Sequence, residues 1–117
     1  MGKLSTHVLD TAHGKPASGV GVQLFAVEGE RRRLIKTDAT NADGRCAAAL
    51  LEGVALVAGR YELVFAAGDY FAALGVALAE PRFLDRITIA FGIADTGQNY
   101  HVPLVVTPWS YSTYRGS

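Results

Sequence analysis

The sequence predicts an all-β sandwich. Several short runs alternate apolar and polar residues with period two, and Gly, Pro, Asn and Asp separate them. A length of 117 residues, half of them hydrophobic, suffices for one core that buries roughly two-thirds of the unfolded chain's surface. With no internal repeat, linker or low-complexity stretch, a single domain over 1–117 is expected.

The elements follow in chain order. Residues 5–10 form a first strand candidate, and Ala12-His13-Gly14-Lys15-Pro16 has the composition of a turn. Val20, Val22, Leu24 and Ala26 share one face of the next run, and Arg31-Arg32-Arg33 after Glu28-Gly29-Glu30 marks a charged hairpin turn before a candidate at 32–37. The tight turn Asn41-Ala42-Asp43-Gly44 delivers Arg45 to the start of a candidate at 45–51. Tyr61, Leu63 and Phe65 alternate with Arg60, Glu62 and Val64. One segment argues for helix: Asp69 caps Tyr70-Phe71-Ala72-Ala73-Leu74, with Gly75 as a stop or Pro81 beyond a longer helix. Ile87, Ile89, Phe91 and Ile93 then line one face of a half-buried strand. Residues 101–107 and 111–115 flank Pro108-Trp109-Ser110 as a hairpin. Pro103 cannot donate to a ladder, so its strand should present it at an edge or bulge.

Composition excludes several functions. Eleven basic residues balance eleven acidic ones, so no field steers the chain onto nucleic acid or anionic lipid. No apolar run approaches the ~20 residues that span a bilayer, and the start Met1-Gly2-Lys3-Leu4 lacks the features of a secretory signal. A cytoplasmic protein is expected. Cys46 is the lone cysteine and allows neither an internal disulfide nor a thiolate zinc cluster. No Gly-rich phosphate loop, nucleophile elbow or suggestive carboxylate pair is present, and His7 and His101 lie far apart with no His-x-His or His-x-x-x-His spacing, so neither cofactor nor metal is expected.

Proton chemistry, if present, falls to histidine. His13 sits in a turn and reads as an exposed loop residue, whereas His7 and His101 lie in strand candidates. There an imidazole is either a hydrogen-bonded structural group or a functional one. Arg45 is either solvated or a planar fork for an anion or an amide-rich ring, and Arg115 carries the same choice. The ending Tyr111-Ser112-Thr113-Tyr114-Arg115-Gly116-Ser117 is denser in aromatics than a fraying tail. It predicts a docked segment with a free carboxylate on its last residue.

Taken together, these motifs resemble the 5-hydroxyisourate hydrolases, the purine-catabolic enzymes of the transthyretin-like family. The resemblance runs in order through Leu4-Ser5-Thr6-His7-Val8-Leu9-Asp10, Gly14-Lys15-Pro16-Ala17, Thr40-Asn41-Ala42-Asp43-Gly44-Arg45, Gly68-Asp69-Tyr70-Phe71, Tyr100-His101-Val102-Pro103-Leu104 and Tyr111 through Ser117. The Tyr-Arg-Gly-Ser ending separates the hydrolases from the hormone-carrying transthyretins. Departures occur at Asn99, at Trp109 and over 77–84.

The resemblance implies a transthyretin-like sandwich of two four-stranded sheets with one short helix. It also implies a homotetramer, a dimer of dimers, with sites in the channel between dimers. The catalytic set it implies is His7, Arg45, His101 and Ser117, with Tyr114 and Arg115 shaping the substrate pocket. The activity is that of a cyclic amide hydrolase: water attacks a ring carbonyl of the small-molecule substrate 5-hydroxyisourate, giving 2-oxo-4-hydroxy-4-carboxy-5-ureidoimidazoline in urate breakdown. One of His7 and His101, with His7 preferred, takes the water proton; the other positions substrate or protonates the departing nitrogen. The alternative is a transthyretin-like carrier that holds a small molecule without transforming it.

Overall fold

Period-two alternation puts one stripe of each strand inward, and two such surfaces close over each other. The computed structural model describes residues 2–117. It contains β1 (Lys3–Ser5), β2 (Val8–Asp10), β3 (Lys15–Pro16), β4 (Gly21–Glu28), β5 (Arg31–Ala39), β6 (Leu51–Glu52), β7 (Gly59–Phe65), β8 (Ile87–Ile93), β9 (Tyr100–His101), β10 (Leu104–Val106) and β11 (Tyr111–Ser112). One α-helix, α1 (Ala67–Ala73), joins β7 to β8, and a 3-10 turn at Gly53–Ala55 follows β6. Among the described residues no helix is long and apolar enough to cross a membrane.

The first layer is antiparallel in the order β5-β4-β7-β8. Its inward stripes match the alternation in the sequence: Val22, Leu24 and Ala26 from β4, Tyr61, Leu63 and Phe65 from β7, Ile87, Ile89 and Ile93 from β8. Each Val, Leu, Ile or Phe among them contributes roughly 1.5–3 kcal/mol when fully buried.

The second layer differs from the expected four-stranded sheet, because it divides into β6-β1-β9 and β11-β10-β2-β3. The two parts share chains, since β1 runs on into β2 and β9 into β10. The parallel register is constant across the gap: Leu4 pairs with Tyr100, Ser5 with His101, Val8 with Leu104 and Asp10 with Val106. Backbone bonds also bridge it, from Val102 N to Ser5 O and from Leu104 N to His7 O, both 2.9 Å. Pro103 lies at this internal break and is buried. The candidate strand 5–10 is thus interrupted at Thr6–His7, and 101–107 at Val102–Pro103.

The expected strand at 45–51 survives only at its ends. Arg45 bridges His7 and Leu51 pairs with Leu4. Six steps along one chain face three on the other, so the surplus residues around Ala47 and Ala48 leave the ladder.

The helix begins earlier than its composition suggests. Its N-cap is Ala66, with no side-chain cap, and Asp69 lies in the first turn, where the dipole still favours an acid. The Asp69 carboxylate pairs with Arg82 instead. Of the two ends the sequence allows, the structure takes the one at Gly75. Gly75 takes φ +83, Val76 N donates to Phe71 O at 3.2 Å and Gly75 N to Ala72 O at 3.0 Å, a Schellman ending.

The helix is tied to the second layer through a buried carboxylate. Asp10, 1% exposed, accepts from Tyr70 Oη at 2.8 Å, His13 N at 3.0 Å and His13 Nδ1 at 2.6 Å. Burial raises its pKa, but the bonds from Tyr70 and His13 outweigh this and hold it below the ordinary 3.8. The Tyr70 hydroxyl is pushed up, by burial first and then by its bond to Asp10. A depressed carboxylate contributes stability that is present above its ordinary value and lost as the pH falls through the folded one. Tyr70→Phe should therefore cost about 1–2 kcal/mol in urea unfolding at neutral pH, and the cost should shrink once the pH drops below 3.8.

Candidate active site

A self-closing turn creates one side of the site. Asn41 Oδ1 accepts from Asp43 N at 2.9 Å and Arg45 N at 3.2 Å, while Asn41 N donates to Arg45 O at 2.8 Å. The turn is sewn to the N-terminal strand by Val8 N donating to Gly44 O at 2.8 Å and by the His7–Arg45 bridge. His7 Nε2 lies 2.8 Å from Asp43 O. A carbonyl only accepts, so Nε2 carries the proton and Nδ1 of the neutral ring has the lone pair.

Gly44 is what lets the turn come this close. Its φ is +76, and a Cβ there would lie 2.4 Å from Val8 O and 3.2 Å from His7 Cδ2.

His101 forms the other side. Its partner across the parallel ladder is Ser5, whose Oγ lies 2.9 Å from His101 Nδ1. Inward neighbours Leu4 and Tyr100 are buried, while Ser5, His7 and His101 alternate outward and are half-buried.

The chain's last residues complete the set as a strand. Gly116 N donates to His101 O at 2.8 Å and His101 N to Gly116 O at 3.1 Å. This continues the register that pairs Val106 with Tyr111 and Val105 with Ser112. The same register sets Tyr114 opposite Pro103, which has no N–H to give, so the ladder lapses there. Thr113 Oγ1 donating to Pro103 O at 2.6 Å covers the lapse. Arg115 lies over the Tyr100 ring, 4.4 Å from its centroid, and its Nη2 donates to Gln98 Oε1 at 2.8 Å. That guanidinium fastens the tail. Tyr114 and Ser117 remain exposed.

Electrostatics distinguish His101. Burial, then the charges of Arg45 and His7, hold its pKa below the ordinary 6.5, which leaves it neutral at pH 7. Among the described residues no carboxylate pairs with Arg45, so its guanidinium is available to a ligand. No group of three or more His, Cys, Asp or Glu there is placed to hold a metal. Lys3, Ser5, Arg45 and Cys46 line a shallow cleft of about 140 Å³ beside these groups. A larger cleft of about 330 Å³, under Ala26, Ile35 and Tyr61, shares no residue with them.

Of the residues singled out in the sequence, His7, Arg45, His101 and the segment ending at Ser117 are brought together by backbone pairing. The role of Ser5, and that of the two motif glycines that lie against the imidazoles, escaped the sequence reading. Ser5 shares the period-two face of His7, and that was the available signal.

A model of the HIUase/Transthyretin family matches residues 4–116. The chain belongs to that family. It is 61% identical over 117 residues, the full length of both, to a 5-hydroxyisourate hydrolase of Ralstonia nicotianae. Its fold superposes on a 5-hydroxyisourate hydrolase of Klebsiella pneumoniae with a TM-score of 0.80 at 39% identity, covering both chains fully. It also superposes on an (S)-allantoin synthase with a TM-score of 0.94 at 43% identity, covering 99% of this chain and 44% of that one.

In this member of the HIUase/Transthyretin family, Gly44→Ala should lower the unfolding free energy by about 2 kcal/mol or more, from strain plus the clash with Val8 O. Gly14→Ala is the control, since Gly14 has φ +67 but nothing within 4 Å of its Cβ position. Equal losses in urea unfolding would remove the close approach from the account.

Proposed function

We propose that this chain hydrolyses 5-hydroxyisourate to 2-oxo-4-hydroxy-4-carboxy-5-ureidoimidazoline, a step of urate degradation. The observation that carries this reading is the convergence of two imidazoles, an unpaired guanidinium and the chain terminus on one outward face. Full-length identity to a protein of that activity supports the same substrate. A carrier has no need of a neutral imidazole beside a free guanidinium.

Hydrolysis breaks a cyclic amide C–N bond, leaves the water oxygen on the carbonyl carbon as a carboxylate, delivers one water proton to the departing nitrogen and releases the other to solvent. In this reading His101, uncharged at neutral pH, takes the water proton and returns it to that nitrogen. The preference therefore passes from His7 to His101. His7, its Nε2–H committed to Asp43 O, presents Nδ1 to a substrate ring N–H. Arg45 holds the carbonyl edge and stabilises the oxyanion as it grows. Ser117 orients the water through its hydroxyl or its carboxylate, Tyr114 forms the rim, and Arg115 holds the tail.

The working assembly in this reading is a homotetramer, a dimer of dimers, with the site in the channel between dimers. The cleft that Ser5 and Arg45 line takes in neither imidazole, so the catalytic groups lie on an open face and a further wall is needed to enclose a substrate. Strand β8, Ile-Thr-Ile-Ala-Phe-Gly-Ile, carries no charge or proline and is bonded on one side only. Such an edge suits pairing with another chain. The protein would act in the cytoplasm as one domain over 1–117, without a cofactor.

Generating 5-hydroxyisourate from urate with urate oxidase and following its ultraviolet decay tests the activity. Addition of the protein should accelerate the decay well beyond the spontaneous rate, and an unchanged rate would refute the reading. His101→Asn should cost ~10²–10⁴ in rate, and His7→Asn, which removes a substrate hydrogen bond rather than the base, should cost less and act on KM as well. The rate needs neutral His101, so the acid limb of kcat/KM should lie below pH 6.5. A short C-terminal tag should suppress turnover while leaving the unfolding midpoint in place.

A further inference from the structure

We propose that Ser5 is a positioning residue for the reaction: its hydroxyl accepts the Nδ1–H of His101, which directs Nε2 at the attacking water and pairs the imidazolium that forms. The inference rests on the reading of the chain as a hydrolase with His101 as base.

The geometry leaves Nδ1 one partner. Ser5 Oγ lies 2.9 Å away, across a strand pair in which Ser5 and His101 are opposite residues. The backbone on the other flank of the ring belongs to Gly116, where a Cβ would come within 3.1 Å of His101 Cβ and 3.3 Å of Cδ2. The ring is therefore held between a hydroxyl on one nitrogen and a bare backbone along its edge. Nε2 is the nitrogen left for chemistry.

A hydroxyl suits this position better than a carboxylate. It can accept the Nδ1–H of the neutral ring and still accept it once Nε2 has taken a proton, so it serves the ring before and after proton uptake. It also adds no charge. The charged groups acting on His101 are Arg45 and His7, with the Ser117 carboxylate one residue beyond its Gly116 partner and Arg115 turned onto Tyr100. A carboxylate at Ser5 would favour the imidazolium and cost the site its neutral base. Elsewhere in this chain an imidazole does have a carboxylate partner: His13 Nδ1 meets Asp10 at 2.6 Å. That pair ties a turn to the core.

The test compares parent, Ser5→Ala, Ser5→Thr and His101→Asn in the 5-hydroxyisourate decay assay across pH. Ser5→Ala should lower kcat about tenfold or more with KM near the parent value, because the lost bond is strongest when the ring is charged. Without an acceptor the charged ring is disfavoured, so the acid limb should also move to lower pH. Ser5→Thr keeps a hydroxyl and should restore both. The ¹⁵N shifts of the His101 ring, which require no substrate, should lose the Nε2-lone-pair pattern in Ser5→Ala and regain it in Ser5→Thr. Should Ser5→Ala fail to fold, Ser5→Cys reads the same quantities with a weak acceptor of similar shape. An active parent, an impaired His101→Asn and a parent-like Ser5→Ala or Ser5→Cys in rate, pH limb and ring shifts would overturn the role of Ser5 while leaving the hydrolase reading intact. A parent without activity would remove the hydrolase reading itself.

Discussion

The parallel ladder between the two ends of the chain is the constraint on which the rest depends. Its partners are 96 residues apart wherever it forms, and closing a loop of that length costs about 4 kcal/mol in chain entropy before any constant term. The inward side repays that cost, because Leu4, Val8, Leu104 and Val106 are almost wholly buried and each contributes roughly 1.5–3 kcal/mol. The outward side inherits the consequence. Once Leu4 meets Tyr100 in the core, Ser5 must meet His101 on the face. A slip of one residue would bury the imidazoles and expose the core stripe.

The interruptions in this ladder are as consequential as the ladder itself. At Thr6–His7 and Val102–Pro103 the two strands stop being regular, yet the buried Thr6 hydroxyl donates to Val102 O at 2.7 Å and keeps them joined. That irregular stretch is where the 41–45 turn and the terminal segment reach the central chains. Glycine makes both approaches possible: Gly44 lies against His7 and Gly116 against His101. Two motif positions without side chains thus do as much to set the imidazoles as any polar contact.

Each imidazole is held by a different class of partner, and the class matches its surroundings. His7 donates to a backbone carbonyl, which selects its tautomer. His101 meets a hydroxyl, which can accept its Nδ1–H without adding charge. His13 meets a buried carboxylate that also accepts from Tyr70, and so secures the turn and α1 to the second layer. Arg45, with no carboxylate beside it among the described residues, adds the positive field that His101 feels.

Local pattern alone determined β4, β7 and β8 and the turn before Arg45, because each follows from alternation or from a backbone angle that one residue type prefers, and it offered Gly75 as one of two helix ends. The motifs also marked His7, Arg45, His101 and the terminal segment. Tertiary structure decided what depends on a neighbour's length or chemistry. The 45–51 segment reads as a strand until its partner proves three residues shorter. Asp69 reads as a cap until Arg82 claims its carboxylate, and Ser5 reads as one polar residue among many until the parallel pairing sets it against His101. Alternation records which face a side chain takes, whereas the residue opposite it is chosen by how distant segments close over a common core.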